Sequence, residues 1–459
     1  MSKHSLSELQ QLQALSLNEK VERTKARIRQ WVEHYGLDHV YISFSGGKDS
    51  TVLLHIARSM YPNIKAVFCD TSLEFPELRE FVLSFDNVEV LKPPMNFRQV
   101  IEKYGYPVIS KEVSECAYGA RIYLTKLMEE NSIVQTDRQT DRQTDRQTIT
   151  FHTPSSIVRY AALESIQSLS QKRGGCCKNP VDWDAIATLM EQKGLGSGGS
   201  VLRLARMTGN LTRDGQIKAT IPDKDRSAFS QVRYKFLLTA PFSVSNKCCS
   251  IFKKNMSHTY NHKNNMHPIL GSMASESRLR TQKWLENGCN GFDLKEPISN
   301  PLSFWFDSDI LLYIKENNVP ICKVYGDIVT DYAAEGQCDG QMSFADYGLF
   351  DKQPILTTSG CKRSGCLGCG FGLLLEERPN RLELIDQVSN PKIRDFILRG
   401  GAFDENGLWK PDNNGLGFWF VHKYIALSLN SDLYIPEYER YEREYGNDLT
   451  KEYLAQACK

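Results

Sequence analysis

The sequence predicts an α/β fold in which a parallel sheet carries helices on both faces, joined to a smaller, cysteine-rich and mainly helical C-terminal subdomain. Between His39 and Tyr104, short apolar segments alternate with helical segments, which is typical of parallel βαβ units. Beyond Cys361 the pattern becomes helical and aromatic, at residues 380–400 and 416–430. The 459 residues are enough for two or three domains of about 100–200 residues each.

The composition is that of a water-soluble globular protein. Hydrophobic residues make up 41% and charged residues 24% of the chain, which is ordinary for this class. A net charge of +1 creates no overall attraction to nucleic acid or membranes. No apolar run of about 18 residues predicts a membrane span, and the N-terminus lacks the apolar segment of a signal peptide. We therefore expect a cytoplasmic protein whose 13 cysteines are thiols, metal ligands or redox groups rather than disulfides.

Three regions are expected along the chain. Residues 1–36 form an N-terminal helical segment, residues 37–330 form the main α/β domain, and residues 331–459 form the cysteine-rich subdomain. A variable insertion at about 130–231 interrupts the main domain. It includes three copies of Thr-Asp-Arg-Gln at residues 136–147, which have no apolar surface to bury and are expected to be an exposed, low-complexity segment.

The main domain is predicted element by element from its periodicity. Apolar runs predict strands and 3.6-residue periodicity predicts helices, and Pro76 fits the first turn of a helix because its missing N–H has no intrahelical partner there. Asp307 is placed to cap the last of these helices. The predicted strands are 39–45, 64–70, 87–92 and 267–273, and the predicted helices are 49–60, 75–85, 97–104, 276–286 and 307–317.

A phosphate-binding loop is predicted between the first strand and the first helix of this series. Two adjacent glycines let several backbone N–H groups point at one anion, and the following helix adds its positive end. The spacing is not that of a Walker loop, because Asp49 follows Gly-Lys and Ile42 stands where the first glycine belongs. Lys48 and Asp49 are the predicted catalytic residues. The predicted binding residues are Ser45, Gly46, Gly47, Lys48, Asp49, Ser50 and Thr51.

Two further segments are expected beside this loop. Residues 70–76 follow the second strand, and open α/β sheets bind ligands at the carboxyl edge of their strands. Residues 271–280 contain Arg278 and Arg280, whose planar guanidinium groups match a pair of phosphate or sulfate oxygens. The predicted nucleotide contacts from these segments are Asp70, Thr71, Glu74, Arg278 and Arg280.

The three segments resemble known motifs. Ser45–Ser50 (S-G-G-K-D-S) resembles the PP-loop of the adenine nucleotide alpha-hydrolase superfamily. Asp70–Pro76 resembles the D-T-x-x-E-F-P element of phosphoadenosine phosphosulfate (PAPS) reductases, and Gly271–Arg280 resembles the G-x-x-A-x-E-S-x-x-R segment of PAPS reductase-like proteins. The resemblance covers residues 38–115 and about 232–330, and it is poor between 116 and 231.

The resemblance implies a nucleotide-dependent reaction. Enzymes with a PP-loop bind ATP or a related adenine nucleotide, with Mg²⁺ assisting, and the usual reaction is attack on the α-phosphorus to give an adenylylated substrate and pyrophosphate. The assimilatory reductases carry a redox cysteine in an E-C-G-x-H setting near the C-terminus. This chain ends at Gln456–Lys459 with Q-A-C-K instead, which does not favour sulfate-ester reduction.

A cysteine-rich loop predicts a metal centre. C-x4-C-x2-C in a glycine-rich loop can place three thiolates around one centre, with the spacing of the plant-type ferredoxin run. The fourth ligand is expected from the Cys248–Cys249 pair, or next from Cys289. This arrangement resembles the [4Fe–4S] site of adenylylsulfate reductases and that of DNA-phosphorothioation sulfurtransferases. Zinc, or thiols without a ligand, are the alternatives. The predicted metal ligands are Cys248, Cys249, Cys361, Cys366 and Cys369.

Three histidines offer another ligand set. His258 and His262 are four residues apart, and His267 follows. Because asparagines at 261, 264 and 265 favour a loop, we interpret this stretch as a solvated polar segment.

Three classes of function follow. The first is an ATP-dependent sulfurtransferase with an iron–sulfur cluster, acting on a small molecule or a nucleic acid. The second is an adenylyl-sulfate or PAPS reductase, and the third is a non-catalytic nucleotide sensor. The sequence leaves open a homo-oligomer and a sulfur-donor partner.

Overall fold

The computed structural model describes most of the chain and divides it into two compact units. The described residues are 3–130, 183–194, 199–331, 355–373, 376, 380–430 and 437–457. The first unit comprises 1–96, 249–367 and 384–389, and the second comprises 97–248, 368–383 and 390–459. The Thr-Asp-Arg-Gln repeat at 136–147 lies outside the described residues, and the expected domain limits stay a prediction.

A six-stranded sheet forms the centre of the first unit. Its strand order is β3-β2-β1-β4-β6-β5, and every pairing is parallel except that of β5 with β6. A separate antiparallel hairpin, β7 with β8, belongs to the same unit. The strands are β1 (Val40–Ser43), β2 (Lys65–Cys69), β3 (Val88–Leu91), β4 (His267–Ile269), β5 (Asn290–Gly291), β6 (Ile298–Ser299), β7 (Ile328–Asp331) and β8 (Ile355–Thr358).

Helices surround this sheet, so the predicted α/β class is confirmed. The helices of the first unit are α1 (Leu6–Gln13), α2 (Leu17–Tyr35), α3 (Lys48–Met60), α4 (Pro76–Leu83), α5 (Asn255–Asn264), α6 (Arg278–Asn287) and α7 (Asp307–Asn317). The predicted N-terminal helix is two helices because Ser16 begins α2 with a capping box, in which its hydroxyl accepts from the Glu19 N–H.

The centre of the sheet is its most buried part. Val40 and Ile42 on β1 are fully buried, as expected for a parallel strand covered on both faces. Ile42 pairs with Ala66 of β2 on one side and with Ile269 of β4 on the other. Removing this much apolar surface from water, at about 25 cal/mol per Å², holds the end of β1 in a fixed position.

The second unit is mainly helical. Trp409 anchors it: its ring is buried and donates a 2.9 Å hydrogen bond to the Gly417 carbonyl. The helical C-terminal part is therefore as predicted. The helices are Phe97–Tyr104, Lys111–Glu130, Trp183–Lys193, Gly199–Thr208, Pro391–Leu398, Phe418–Leu429, Glu437–Tyr445 and Asp448–Ala457, and Arg381–Val388 is divided between the units. The paired strands are Val108–Ile109 with Gly370–Phe371, and Ala402–Phe403 with Trp409–Lys410.

Two local expectations were wrong. Asp307 does not cap its helix: Phe306 occupies the N-cap position, and its N–H donates a 2.7 Å hydrogen bond to Asp309 instead. His258 and His262 lie on α5 rather than in a loop, because tertiary hydrogen bonds described below outweigh the weak helix propensity of asparagine.

In the described part of the chain, no helix combines the length and hydrophobicity that crossing a membrane requires.

Candidate functional site

The loop after β1 lies at the topological switch point of the sheet. From β1 the strand order runs to β2 on one side and to β4 on the other, and open α/β sheets bind ligands outside the carboxyl ends of the strands at this point. Gly46 has φ +74°, and a Cβ there would lie 2.5 Å from Val82 Cγ2 and 3.0 Å from Leu78. Only glycine fits, because both the backbone angle and the packing on α4 exclude a side chain.

Hydroxyl groups fix the turn from this loop into α3. Ser50 Oγ and Thr51 Oγ1 donate to the Gly47 carbonyl at 2.9 and 3.0 Å. Ser45 Oγ lies 3.2 Å from Ser50 Oγ and accepts from the Gly47 N–H at 3.4 Å. The predicted binding residues are therefore grouped at the start of one helix, whose positive end favours an anion.

Lys48 is buried and paired with two carboxylates. It is 4% exposed, its Nζ donates to Asp49 Oδ1 at 2.9 Å, and it also contacts Asp307. Burial by itself lowers the pKa of Lys48, but Asp49 and Asp307 outweigh burial and raise the pKa above its ordinary value. The ammonium is therefore charged and restrained, and Asp307 is a site residue that we had interpreted only as a cap.

The segment after β4 packs on the same turn. A Cβ on Gly271 would lie 3.1 Å from the Asp49 carbonyl oxygen and 3.3 Å from Ser50 N, so a larger residue would push the two segments apart. The predicted third segment therefore contacts the phosphate loop directly.

Arg280 lies near a second arginine. Burial lowers the pKa of Arg280, the charge of Arg363 lowers it further, and Asp49 opposes both. Arg280 also pairs with Glu276, and both Arg278 and Arg280 are exposed. Of the two predicted arginines, Arg280 is the one that interacts electrostatically with Asp49 of the phosphate loop. An anion near Arg280 and Arg363 would relieve the repulsion between them.

The loop after β2 is held by its own side chains. Glu74 accepts from the Thr71 and Leu73 N–H groups at 3.2 Å each and from Thr71 Oγ1 at 2.7 Å. Asp70, which is 4% exposed, accepts from Arg79 Nε at 2.8 Å. The structure thus brings Asp70, Thr71 and Glu74 together, and their hydrogen bonds determine the conformation of the loop.

Tyr325 and Ser364 connect the cysteine run to the phosphate loop. The Lys48 N–H donates to Tyr325 Oη at 3.3 Å, and Tyr325 Oη lies 2.6 Å from Ser364 Oγ. Ser364 falls between Cys361 and Cys366. Burial raises the pKa of Tyr325, so its hydroxyl stays neutral and can both donate and accept. Neither residue was predicted, since a single tyrosine or serine in a turn carries no sequence signal.

Cys366 lies against the loop after β2. Burial raises the pKa of Cys366; the charges of Glu74 and Cys249 raise it too, whereas Lys253 and a hydrogen bond with Thr71 lower it. The Leu367 N–H donates to the Leu73 carbonyl at 2.7 Å. Two of the predicted metal ligands, Cys249 and Cys366, are therefore electrostatic neighbours.

The other predicted cysteines are distributed differently. Cys361 is buried in the first unit, and Cys248 and Cys369 belong to the second unit. Cys289, the reserve candidate, accepts from Ser303 Oγ at 3.2 Å. Cys289 also lines a cavity of about 500 Å³, together with residues of α1, α2 and α6.

The described thiols of the first unit do not form a compact set of metal ligands. In the described residues, the set of three ligand groups whose donor atoms all lie within 4.8 Å of one another is His258, His262 and Glu296, not a cysteine set. Tetrahedral zinc with Zn–S bonds of about 2.3 Å needs sulfurs about 3.8 Å apart. A cubane cluster holds its thiolates farther apart, and soft thiolates suit it. The described thiols therefore do not form a preformed zinc site, and the iron–sulfur cluster stays a prediction.

Comparison with known proteins shows what the segment around this site is similar to. Residues 39–163 match the family model described as the phosphoadenosine phosphosulfate reductase domain. The matched segment contains the phosphate loop and the loop after β2. It therefore resembles the nucleotide-binding PP-loop domains of PAPS reductase-like proteins, as predicted.

Curated relatives match only short segments. Two proteins described as probable FAD synthases match: that of Caenorhabditis briggsae is 36% identical over 85 residues, and that of Caenorhabditis elegans is 31% identical over 86 residues. An uncharacterized protein of Methanocaldococcus jannaschii is 41% identical over 70 residues. These matches cover 14–17% of this chain and 16–17% of the relatives' own length.

A solved structure also matches. The crystal structure of phosphoadenylyl-sulfate (PAPS) reductase from Candida auris, in a phosphate complex, is 11% identical, with 70% of this chain and 90% of that chain covered and a TM-score of 0.28.

Proposed function

We propose that this PAPS reductase-like protein binds ATP or a related adenine nucleotide at residues 45–51 and adenylylates an acceptor before sulfur transfer. The observation that carries the proposal is the contact between the two motifs. Ser364 of the cysteine run is hydrogen-bonded to Tyr325, which accepts from the Lys48 N–H. Thiol chemistry and nucleotide chemistry therefore meet at one loop.

The first step is attack of an acceptor oxygen on the α-phosphorus. The new P–O bond gives an adenylylated acceptor, and the bond to pyrophosphate breaks with its electron pair on the leaving oxygen. Charge develops on the pyrophosphate, and the Gly46–Lys48 backbone and the Lys48 ammonium are positioned to stabilise it. Lys48 must exchange Asp49 and Asp307 for phosphate oxygens, and these two carboxylates would then be available to hold Mg²⁺.

The second step is displacement of AMP by sulfur. A hydrosulfide equivalent forms the bond to the acceptor carbon, the carbon–oxygen bond to AMP breaks, and AMP leaves with the electron pair. Cys249, Cys361 and Cys366 are the thiols of the first unit that would hold an iron–sulfur cluster. When bound, such a cluster supplies a site for sulfide or for electron transfer. Lys253, which favours the Cys366 thiolate, assists ligation because ligands must be deprotonated.

Nucleotide binding is tested by calorimetry with a non-hydrolysable ATP analogue and Mg²⁺. Lys48→Ala is expected to weaken binding at least about tenfold, which corresponds to 1.4 kcal/mol. Lys65→Ala is the matched control, since this lysine of the same unit pairs with Glu89 at the surface. Equal affinity in wild type and Lys48→Ala would overturn the assignment of the site.

The metal centre is tested by anaerobic purification with a visible spectrum and analysis of iron, sulfide and zinc. Wild type is expected to contain thiolate-bound iron and to show its charge-transfer band. Cys366→Ser is expected to contain less iron and to show a weaker band. Cys322→Ser, which changes another buried thiol of the first unit, is expected to keep the metal. One zinc without colour would leave adenylylation standing but remove the cluster.

The Arg280–Arg363 pair favours a second candidate, an adenylyl-sulfate or PAPS reductase. Two neighbouring guanidinium groups suit an adenylyl-sulfate, because its sulfate is an anionic group that an acceptor alcohol lacks. Sulfite release from an adenylyl-sulfate, without pyrophosphate release from ATP, would select the reductase.

A further inference from the structure

Helix α5 carries two histidines that face one carboxylate. His258 and His262 are four residues apart, so they lie on the same side of the helix. Glu296, from the segment between β5 and β6, reaches both: its Oε2 lies 3.2 Å from His258 Nδ1 and its Oε1 lies 2.8 Å from His262 Nε2. All three residues belong to the first unit.

We propose that His258, His262 and Glu296 bind a divalent transition-metal ion, with Zn²⁺ the best match. Two imidazoles and one carboxylate form a three-ligand set that zinc uses in proteins, with the fourth position left to water or another ligand. The site is separate from the thiols and from the phosphate loop, and the proposal does not depend on either.

The distances suit such an ion. The donor atoms all lie within 4.8 Å of one another. A tetrahedral zinc ion with bonds of about 2.0–2.1 Å needs donors about 3.3 Å apart. The observed separations of 2.8 and 3.2 Å between the glutamate oxygens and the two imidazole nitrogens are close to this value, and the two nitrogens lie within 4.8 Å of each other. The ligands therefore need little rearrangement.

The scaffold of the site is fixed. Tyr260 of α5 donates to Glu89 of β3 at 2.6 Å, and Tyr41 of β1 donates to Asn261 of α5 at 2.9 Å. These bonds lie between the two histidines in sequence and hold the helix against the sheet. Ligands on a helix anchored in this way are well placed for binding.

Exposure determines the kind of site. The side chains of His258, His262 and Glu296 are 46%, 69% and 32% exposed. An ion there is reached directly from solvent, so it exchanges readily. Its effect is to tie α5 to the segment between β5 and β6, and bound metal stabilises the folded state by mass action.

The competing explanation is a histidine–glutamate charge contact without a metal. Both explanations account for the geometry, and metal stoichiometry separates them. Zn²⁺ is titrated into the full-length protein and into Glu296→Gln and His262→Ala, with bound zinc counted after gel filtration and the melting temperature recorded with and without zinc. Glu296→Gln is nearly isosteric, and His262 is exposed, so both variants are expected to fold.

Wild type is expected to bind one more equivalent of zinc than either variant, and only wild type to show the matching rise in melting temperature. His39→Ala and Glu286→Gln, which change exposed residues of the same unit, are expected to behave as wild type. Any zinc bound by thiols is the same in all five proteins, so it does not affect the difference in zinc stoichiometry between wild type and the variants. Equal stoichiometry in wild type, Glu296→Gln and His262→Ala would overturn the site and leave the charge contact.

Discussion

At the scale of single residues, Lys48 shows how a buried charge is balanced in the candidate phosphate loop. Its ammonium is almost fully buried and shared between Asp49 and Asp307. An unpaired charge in this position would be costly, and the carboxylates offset that cost. A phosphate that takes their place keeps the charge balanced, so binding exchanges one ion pair for another rather than creating one.

Asp307 gives the first prediction at this scale. We expect Asp307→Asn to raise the Mg²⁺ concentration needed for nucleotide binding about tenfold, because one carboxylate ligand is lost. Binding without Mg²⁺ is expected to tighten, since Lys48 then has one competitor fewer. Calorimetry at several Mg²⁺ concentrations measures both effects, with Asp86→Asn as a surface control in the same unit. An unchanged Mg²⁺ dependence would exclude Asp307 as a ligand.

Gly46 gives the second prediction at the residue scale. Gly46→Ala places a Cβ 2.5 Å from Val82 at φ +74°, so we expect both lower stability and weaker nucleotide binding. Gly215→Ala is the matched control: its φ is +84° and nothing lies within 4 Å of the added Cβ. The control isolates the backbone strain, about 1 kcal/mol. Denaturant unfolding that shows the same loss in both variants would mean that packing on α4 does not restrict the loop.

At the scale of elements, the turn that carries Tyr325 determines how the cysteine run meets the phosphate loop. The ring is 2% exposed and the hydroxyl bonds both partners, so a change in one element reaches the other through a single oxygen. A buried hydroxyl shared in this way is part of a network in which each member depends on the rest.

We therefore expect Tyr325→Phe to lower the free energy of unfolding by about 1–2 kcal/mol and to weaken nucleotide binding. Tyr313→Phe is the control, because it removes a comparable 2.9 Å bond to His55 in the same unit. Chemical denaturation is expected to show similar losses for the two variants. If nucleotide affinity falls equally in both, Tyr325 acts through stability alone.

At the scale of the whole molecule, a buried histidine in the second unit links stability to pH. His422 Nδ1 contacts Tyr438 Oη at 3.0 Å, its Nε2 is buried without a partner in the described structure, and burial lowers the pKa of His422 to about 4. An unfolded chain, with an ordinary histidine pKa of about 6.5, takes up the proton first. The contribution of neutral His422 to the free energy of unfolding is therefore fully present above pH 6.5, and it decreases as the pH falls toward 4.

His422→Gln is expected to remove that part of the pH dependence. At pH 5 the difference in free energy of unfolding between wild type and variant should shrink by about 1–2 kcal/mol relative to pH 7.5. Denaturant unfolding at both values measures it, and His4→Gln, an exposed change in the first unit, provides the control. Parallel pH profiles for wild type and His422→Gln would show that another group is responsible.

The sequence by itself determined the elements around the phosphate loop. The predicted helix at 49–60 matches Lys48–Met60, and the predicted strand at 64–70 matches Lys65–Cys69. Local signals suffice here, since apolar periodicity, a glycine pair and a proline at N1 each act over a few residues. The same signals predict residues 45–51 as the candidate phosphate loop. These residues lie within the matched range 39–163, and their role in binding stays a prediction.

Tertiary structure decided what local signals do not encode. Asp307 and Tyr325 contact Lys48 although they lie more than 250 positions away in sequence, and Ser364 reaches the loop through its contact with Tyr325. The helix at His258 and His262 is held by two long-range hydrogen bonds, from Tyr41 to Asn261 and from Tyr260 to Glu89, which outweigh the low propensity of its asparagines. The physical reason is common to both: long-range contacts between elements supply the deciding free energy, and no window of neighbouring residues contains both partners.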